Sequence, residues 1–295
     1  MMISRRSVLA ALLAVVLSTG LVAAQGARKN FLWRVEGPGG SIAYLLGSLH
    51  VLTPEFYPLS AEINAAFTES KTLVEEVDFD EMTDPAQMMS VLGKAMLTDG
   101  RTLEQLVAPA TFAEVTERAQ KAGLPMAAIQ RMKPWLVAIM LMEPTLQAAG
   151  FKAELGVDKH FFDRAKAAGL KRQSLETLAY QIDRFDQLSP KLQEEMLVSG
   201  MKELDTQVSN VKEMARQWAA GDVTALEKSL LVSFDESPEL YDRLLVERNR
   251  NWVPHVDACL QQSAGCFIVV GAAHLVGPDG LPALLAKKGY KVTQQ

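Results

Sequence analysis

Apolar and polar positions divide the chain into short strand-like runs near its two ends and longer helical patterns between them. Phe31-Leu32-Trp33-Arg34-Val35 and Ile42-Ala43-Tyr44-Leu45-Leu46 flank the turn Gly37-Pro38-Gly39-Gly40 and predict an opening hairpin. Ser60 is placed to cap a helix from Ala61 to about Ser70, after which Thr72 to Asp78 returns as a strand ending in acids. From about Asp84 to Ala149 the pattern is helical, with Met88, Met89, Leu92, Met96, Leu136, Ile139 and Met140 at core-like spacing. Gly156-Val157-Asp158 opens a helix that Gly169 stops, and Arg172 to Leu175 is a short strand. Glu176 to about Ala264 is again mostly helix, broken at Ser189-Pro190, Gly221-Asp222 and Ser237-Pro238. Cys266 to Val270 is a buried strand, Leu281 to Lys288 a helix, and Tyr290-Lys291-Val292 a final strand. The expected fold is α/β, a mixed sheet of strands from both ends with a mainly helical insertion over about residues 84–264.

A 48% hydrophobic and 22% charged composition excludes a disordered chain. The net charge of −5 supplies no basic field for a phosphate backbone, so nucleic acid is not an expected partner. The best apolar run after the N-terminus, Trp135 to Met142, is too short to span a bilayer and reads as a core helix ending at Glu143-Pro144.

Residues 1–24 read as an address. Met-Met-Ile-Ser-Arg-Arg-Ser precedes an apolar run from Val8 to Leu17 and the small-residue exit Val22-Ala23-Ala24, the layout of a secretory signal peptide cleaved after Ala24. Ser4-Arg5-Arg6-Ser7-Val8-Leu9 also resembles the twin-arginine export signal. The mature chain, residues 25–295, is expected to be a single periplasmic or secreted domain without a membrane span. Losing Arg5 and Arg6 and no acid, it keeps 28 basic against 35 acidic residues, a net charge of −7. In an oxidising compartment Cys259 and Cys266, the two cysteines of the chain, are expected to pair.

The chemistry lies in an internal echo. Leu45-Leu46-Gly47-Ser48-Leu49-His50 and Val269-Val270-Gly271-Ala272-Ala273-His274 each give an apolar strand, a glycine, two small or apolar residues and a histidine. Glycine there permits a positive φ or a close backbone approach, and it sets each imidazole at a strand's carboxyl end, where open α/β sheets keep their sites. Glu75, Glu76 and Asp78 end a third strand. Two imidazoles and a carboxylate make a ligand set for a divalent transition metal, which lowers the pKa of a water and polarises a scissile carbonyl.

The motifs Leu46-Gly47-Ser48-Leu49-His50 with Tyr57-Pro58-Leu59, Leu73-Val74-Glu75-Glu76-Val77-Asp78, Glu247-Arg248-Asn249 with Trp252, and Val270 to Gly277 resemble the TraB/GumN family across essentially the whole mature chain. Gly156-Val157-Asp158, Leu175-Glu176-Thr177 with Gln181, and Gly289 to Val292 fit it too. The resemblance implies a superfamily that includes the animal Tiki proteins, metal-dependent proteases built around two GxxH motifs. It also implies a broad fold shared with erythromycin-esterase-like and ChaN-like proteins. Carried over by position, His50, His274 and Glu76 would bind a metal such as Mn, Co or Zn, and Glu76 and Arg248 would be catalytic.

Adjacent residues of a strand face opposite sides, so Glu76 rather than Glu75 is assigned to the site on the family match. Arg248 is expected at the rim, clamping an oxyanion or a substrate carboxylate. Glu75, Asp158 and Glu176 are candidates to support the ligands from behind. His160 and His255 lack a strand-end setting and read as ordinary residues, and the Met and Trp stripes read as core. The sequence therefore points to an exported metal-dependent hydrolase, foremost a peptidase acting on a peptide or protein. The alternative is a noncatalytic metal- or ligand-binding accessory protein of envelope polysaccharide biology. No HExxH helix or GxSxG elbow points to another hydrolase class.

Overall fold

A computed structural model describes residues 29–234, 237–261 and 265–295; the leader reading falls outside them. Six strands form one mixed sheet: β1 (Leu32–Glu36), β2 (Ile42–Ser48), β3 (Thr72–Glu75), β4 (Lys171–Ser174), β5 (Cys266–Gly271) and β6 (Lys291–Gln294), in the order β4-β3-β5-β2-β1-β6. The opening hairpin pairs β1 and β2 antiparallel, and β6 closes on β1 antiparallel. The remaining neighbours, β2/β5, β3/β5 and β3/β4, are parallel. Strands from both ends of the chain thus share one sheet, as expected.

The helices are α1 (Ala61–Glu69), α2 (Phe79–Thr83), α3 (Pro85–Ala95), α4 (Pro109–Lys121), α5 (Met126–Ile129), α6 (Pro134–Ala148), α7 (Val157–Ala167), α8 (Leu178–Asp186), α9 (Pro190–Glu203), α10 (Gln207–Ala220), α11 (Val223–Leu231), α12 (Pro238–Tyr241), α13 (Glu247–Leu260) and α14 (Leu281–Lys287). Ser60 caps α1 by accepting from the Ile63 amide, and Gly169, at φ 63°, follows the end of α7.

Every residue of the central strand β5 is buried, the signature of a parallel strand covered on both faces. Phe267 meets Phe67 of α1 and Phe161 of α7, with ring centroids 5.5 and 4.8 Å away. Burying each of these rings is worth about 1.5 to 3 kcal/mol. The edge strands β4 and β6 alternate exposed and half-buried positions, and their exposed Lys171 and Lys291 oppose further strand pairing. Cys259 of α13 and Cys266 of β5 form a disulfide, so the helix and the strand that follows it are covalently tied.

A second apolar cluster, including Val115, Val137, Leu141, Leu197 and Met201, holds α4, α6 and α9 together. Two expectations fail in this helical region, and one feature was not foreseen. The helix begun at Pro134 does not stop at Pro144 but continues to Ala148, its last turn held by the Ala149 amide donating to Thr145. The methionine rows are core only in part: Met88, Met89, Leu92 and Ile139 are exposed, whereas Met201 is buried in the second cluster and Met126, Met132 and Met196 pack against it. Helical spacing identifies one face of a helix, but no element covers that face at the exposed positions. Finally, a π-helical turn at Asp242–Val246, unmarked in the sequence, joins α12 to α13.

Candidate functional site

The four parallel strands lie side by side with their carboxyl ends on one edge. Ser48 stands opposite Gly271, Val269 opposite Glu75, and Glu75 opposite Ser174. The residues just beyond these ends are His50 after β2, His274 after β5, Glu76 after β3 and Glu176 after β4. Main-chain pairing outlasts β3 and β4, because the Glu176 amide donates to the Glu76 carbonyl at 2.9 Å. Strand β3 ends at Glu75, which frees Glu76 to turn into the site.

Gly271 is the meeting point. Its amide donates to Glu76 Oε1 at 2.6 Å. A Cβ at this glycine would lie 3.2 Å from both Glu76 Oε1 and His50 Nε2 and 3.6 Å from His274 Cδ2. All three side chains therefore border one small space. Neither Gly47 nor Gly271 has a positive φ, so close approach alone accounts for glycine here; a Cβ on Gly47 would strike the Phe31 ring at 2.3 Å.

Each histidine is held from behind. Asp158, at the start of α7, is 2.5 Å from His50 Nδ1 through Oδ2, and its own amide donates to Ser48 Oγ at 3.2 Å. Asn249 Oδ1 lies 2.7 Å from His274 Nδ1, while the same amide group donates through Nδ2 to the Asp279 carbonyl at 2.8 Å. The Nδ2 donation fixes the Asn249 orientation, so His274 carries a proton on Nδ1 and its Nε2 accepts from Arg248 Nη1; His50 donates from Nδ1 to Asp158 and turns Nε2 toward the shared space. The surroundings differ: the His50 side chain is 63% exposed, whereas His274 is buried against Trp252, with ring centroids 4.4 Å apart.

Arg248 departs from expectation. It is 7% exposed, not at a rim, and every N–H of its fork is engaged. Nε donates to Glu176; Nη2 donates to Glu76 Oε2 at 2.5 Å and Glu176 Oε1 at 2.6 Å; Nη1 faces the Leu244 carbonyl and His274 Nε2, each at 3.1 Å. The π-helical turn supplies that Leu244 carbonyl. With no donor to spare, the guanidinium is built to hold Glu76 and Glu176 rather than to clamp a ligand. Gln181 adds a donation to Glu76 Oε2 at 3.1 Å, and Trp252 Nε1 donates to Glu176 Oε2 at 3.1 Å.

The model of the TraB/PrgY/gumN family matches residues 31–294. The chain belongs to that family. Among curated proteins, this TraB/PrgY/gumN member is 25% identical over 249 residues to the uncharacterized protein YbaP of Shigella flexneri and equally to YbaP of Escherichia coli strain K12. In both cases the match covers 84% of this chain and 89% of the relative. No solved structure matches.

In this TraB/PrgY/gumN chain the donor chemistry fits a divalent transition metal: two tautomer-fixed imidazoles and an ionised carboxylate border one space. As placed, no group of three His, Cys, Asp or Glu side chains among the described residues is gathered closely enough to hold an ion. His274 Nε2 faces Arg248 and stands 4.0 Å from Glu76 Oε1. The charge states suit the donor set at Glu76 and His274 but not at His50. Burial alone would raise the Glu76 carboxyl, but Arg248, His274, His50 and the Gly271 amide hold it well below the carboxylate range. Burial and then Arg248 push His274 down to about 3, keeping it neutral. Asp158 raises His50 to about 9, so this imidazole is protonated at neutral pH and gives up a proton before it can bind an ion.

Of the residues expected from sequence, His50, Glu76, His274, Arg248, Asp158 and Glu176 form this one network. Glu75 stands apart from it: it is buried, accepts nothing at Oε1, and its pKa is pushed up to about 9 chiefly by burial. His160 touches the ring of Tyr57 and takes no part in the network. Sequence reasoning gave no role to Asn249, Gln181 or Trp252, although all three stood inside the motifs that carried the family resemblance.

Proposed function

We propose that this chain is an exported, metal-dependent hydrolase that cuts peptide bonds. The observation that carries the reading is the convergence of His50 Nε2, His274 and Glu76 Oε1 around Gly271, with each imidazole anchored at Nδ1. His50, His274 and Glu76 would hold the ion. When bound, a divalent metal such as Mn, Co or Zn supplies positive charge that polarises a carbonyl and acidifies water.

The chain's own residues prepare that site. Asp158 and Asn249 fix the imidazole tautomers, while Arg248, Gln181 and the Gly271 amide keep Glu76 ionised and immobile. Glu176 balances Arg248, so the core of the site carries paired rather than bare charge.

A cavity of about 260 Å³ opens beside His50, Glu76 and Gly271, with Met82 on its wall. Met82 is exposed, as are Met88, Met89 and Leu92 along the adjoining α3. An adaptable methionine-rich ledge beside a cleft favours an extended apolar chain as substrate. Export is supported by the leader pattern and by the Cys259–Cys266 bond, which suits an oxidising compartment.

The test is metal analysis of protein purified without a His-tag, followed by digestion of a peptide pool before and after chelation. The expected result is one ion per chain and cleavage that chelation abolishes and the metal restores. Stable metal binding with no turnover would replace the hydrolase by the noncatalytic binding protein, a reading that the closed Arg248 fork favours.

A further inference from the structure

We propose that a second cavity, on the His274 side of Gly271, is a subsite for a large apolar side chain such as leucine, with Leu244, Leu230 and Phe185 as the residues that select it. The inference deepens the hydrolase reading and rests on it for the claim that the occupant belongs to a substrate. This cavity holds about 370 Å³ and shares His50, Glu76, Gln181 and Gly271 with the first one. From these four residues the first cavity runs on to Val77, Phe79 and Met82, and the second to Leu230, Leu244 and His274. The proposed ligands thus stand between two cavities, and a peptide laid across them puts one side chain on each side of the bond to be cut. Side by side, the two reach the size in which proteins take ligands, about 300 to 1,000 Å³.

The walls select the occupant. Their polar groups are engaged with one another: Arg248 with Glu76 and His274, Gln181 with Glu76, His50 with Asp158, and Ser48 Oγ with the Asp158 amide. The rest of the lining, chiefly Leu49, Phe185, Leu230, Leu244 and Leu245, is apolar, so a charged or amide side chain would lose its water there with no partner in exchange. Phe185 comes from α8, Leu230 from α11 and Leu244 from the π-helical turn, and all three are half-buried. Leu230 packs on the main core and Leu244 on a small cluster of Leu188, Leu192 and Leu240, so the wall stands ready without a ligand. Single π-helical turns frequently mark functional sites. This one gives the Leu244 carbonyl to Arg248 and its side chain to the cavity, which ties the selecting wall to the residue that holds Glu76.

Calorimetric titration in chelator with acetyl-Leu-Leu-amide and with acetyl-Asn-Asn-amide, whose side chains have nearly the same shape, tests the subsite without turnover. Wild type should bind the leucine probe at least tenfold more tightly than the asparagine probe, and Leu244→Asn should cut that preference at least fivefold. Equal binding of both probes by wild type, binding of neither, or a preference unchanged in Leu244→Asn would overturn the proposal. Leu230→Asn repeats the test from another helix should the first variant fold poorly. Peptide-pool digestion with the metal-loaded protein separates the two readings. The expected cuts lie between two large apolar residues, with Leu244→Asn relaxing the preference on one side of the bond and Met82→Asn on the other. Cleavage with an apolar preference on one side only, or with a preference that Leu244→Asn leaves intact, sinks the subsite and leaves the hydrolase. A leucine preference that Leu244→Asn removes, with no cleavage by the loaded protein, sinks the hydrolase and leaves a pocket for apolar ligands.

Discussion

The Glu176 amide donates to the Glu76 carbonyl, so two distant acids are set side by side by main chain before either carboxylate meets Arg248. The guanidinium then neutralises a pair that the backbone has forced together. Removing it leaves two buried carboxylates without their cation. Arg248→Ala should cost about 3 to 5 kcal/mol in urea denaturation at pH 7. Arg248→Lys, which keeps charge but not the fork, should recover only part of that. A loss under 1 kcal/mol for the alanine variant would refute this account of the network.

The two histidines should differ in what their loss does to the fold. His50 is exposed, and His50→Ala should change stability by no more than about 0.5 kcal/mol. His274 is buried, hydrogen-bonded to Asn249 and packed on Trp252, so His274→Ala should cost about 2 to 3 kcal/mol. Both should abolish metal uptake, measured by elemental analysis of the folded fraction. Equal stability losses would contradict the asymmetry.

Asp158→Asn and Asn249→Ala leave all three proposed ligands in place but release an imidazole tautomer. Metal affinity should fall by about 10- to 100-fold in each. Competition with a coloured chelator gives the number, and unchanged affinity in both variants would show that the tautomers are set elsewhere.

Glu75 gives a pH signature of its own. Its folded pKa, about 9, lies above its ordinary value of 4.5, so the native state binds the proton more tightly than the unfolded chain does. Its contribution is fully present below pH 4.5 and is lost as pH rises through 9. Glu75→Gln cannot ionise and should be more stable than wild type by about 1 to 3 kcal/mol at pH 7. The gain should shrink to nothing near pH 4. Paired urea titrations across that range decide it; a variant less stable than wild type at pH 7 would show that Glu75 has a partner in solution.

The Cys259–Cys266 bond closes a short loop between the helix carrying Arg248 and the strand leading to His274. Replacing both cysteines by serine should lower stability by about 2 to 3 kcal/mol. Thermal denaturation with and without reductant should show the same loss for wild type and none for the variant.

The histidines were legible because their signal is local: an apolar strand, a glycine and a fixed offset, written twice. Glu76 was separable from Glu75 only with the family motif, since alternation says that two neighbours diverge but not which one faces the site. Arg248 was misplaced for a physical reason. A run such as Glu247-Arg248-Asn249-Arg250 looks solvated on any helix, and its burial depends on acids brought up by β3 and β4. Asn249 and Gln181 were opaque in the same way, because a helix amide reveals its partner only when another element supplies one. The exposed methionines reverse the case: their spacing suited a core, and only the absence of a covering element shows otherwise.

Ser48 faces Gly271 across β2 and β5. A slip of one residue between these strands would carry one histidine about 3.3 Å along the sheet, further than a coordinating nitrogen can stray and still share an ion with its partners. The strand pair therefore works as a vernier: the choice of which amide meets which carbonyl sets the chemistry, and a chain folded one notch out of step would also turn Phe267 away from Phe67 and Phe161, so packing guards the register that the chemistry needs.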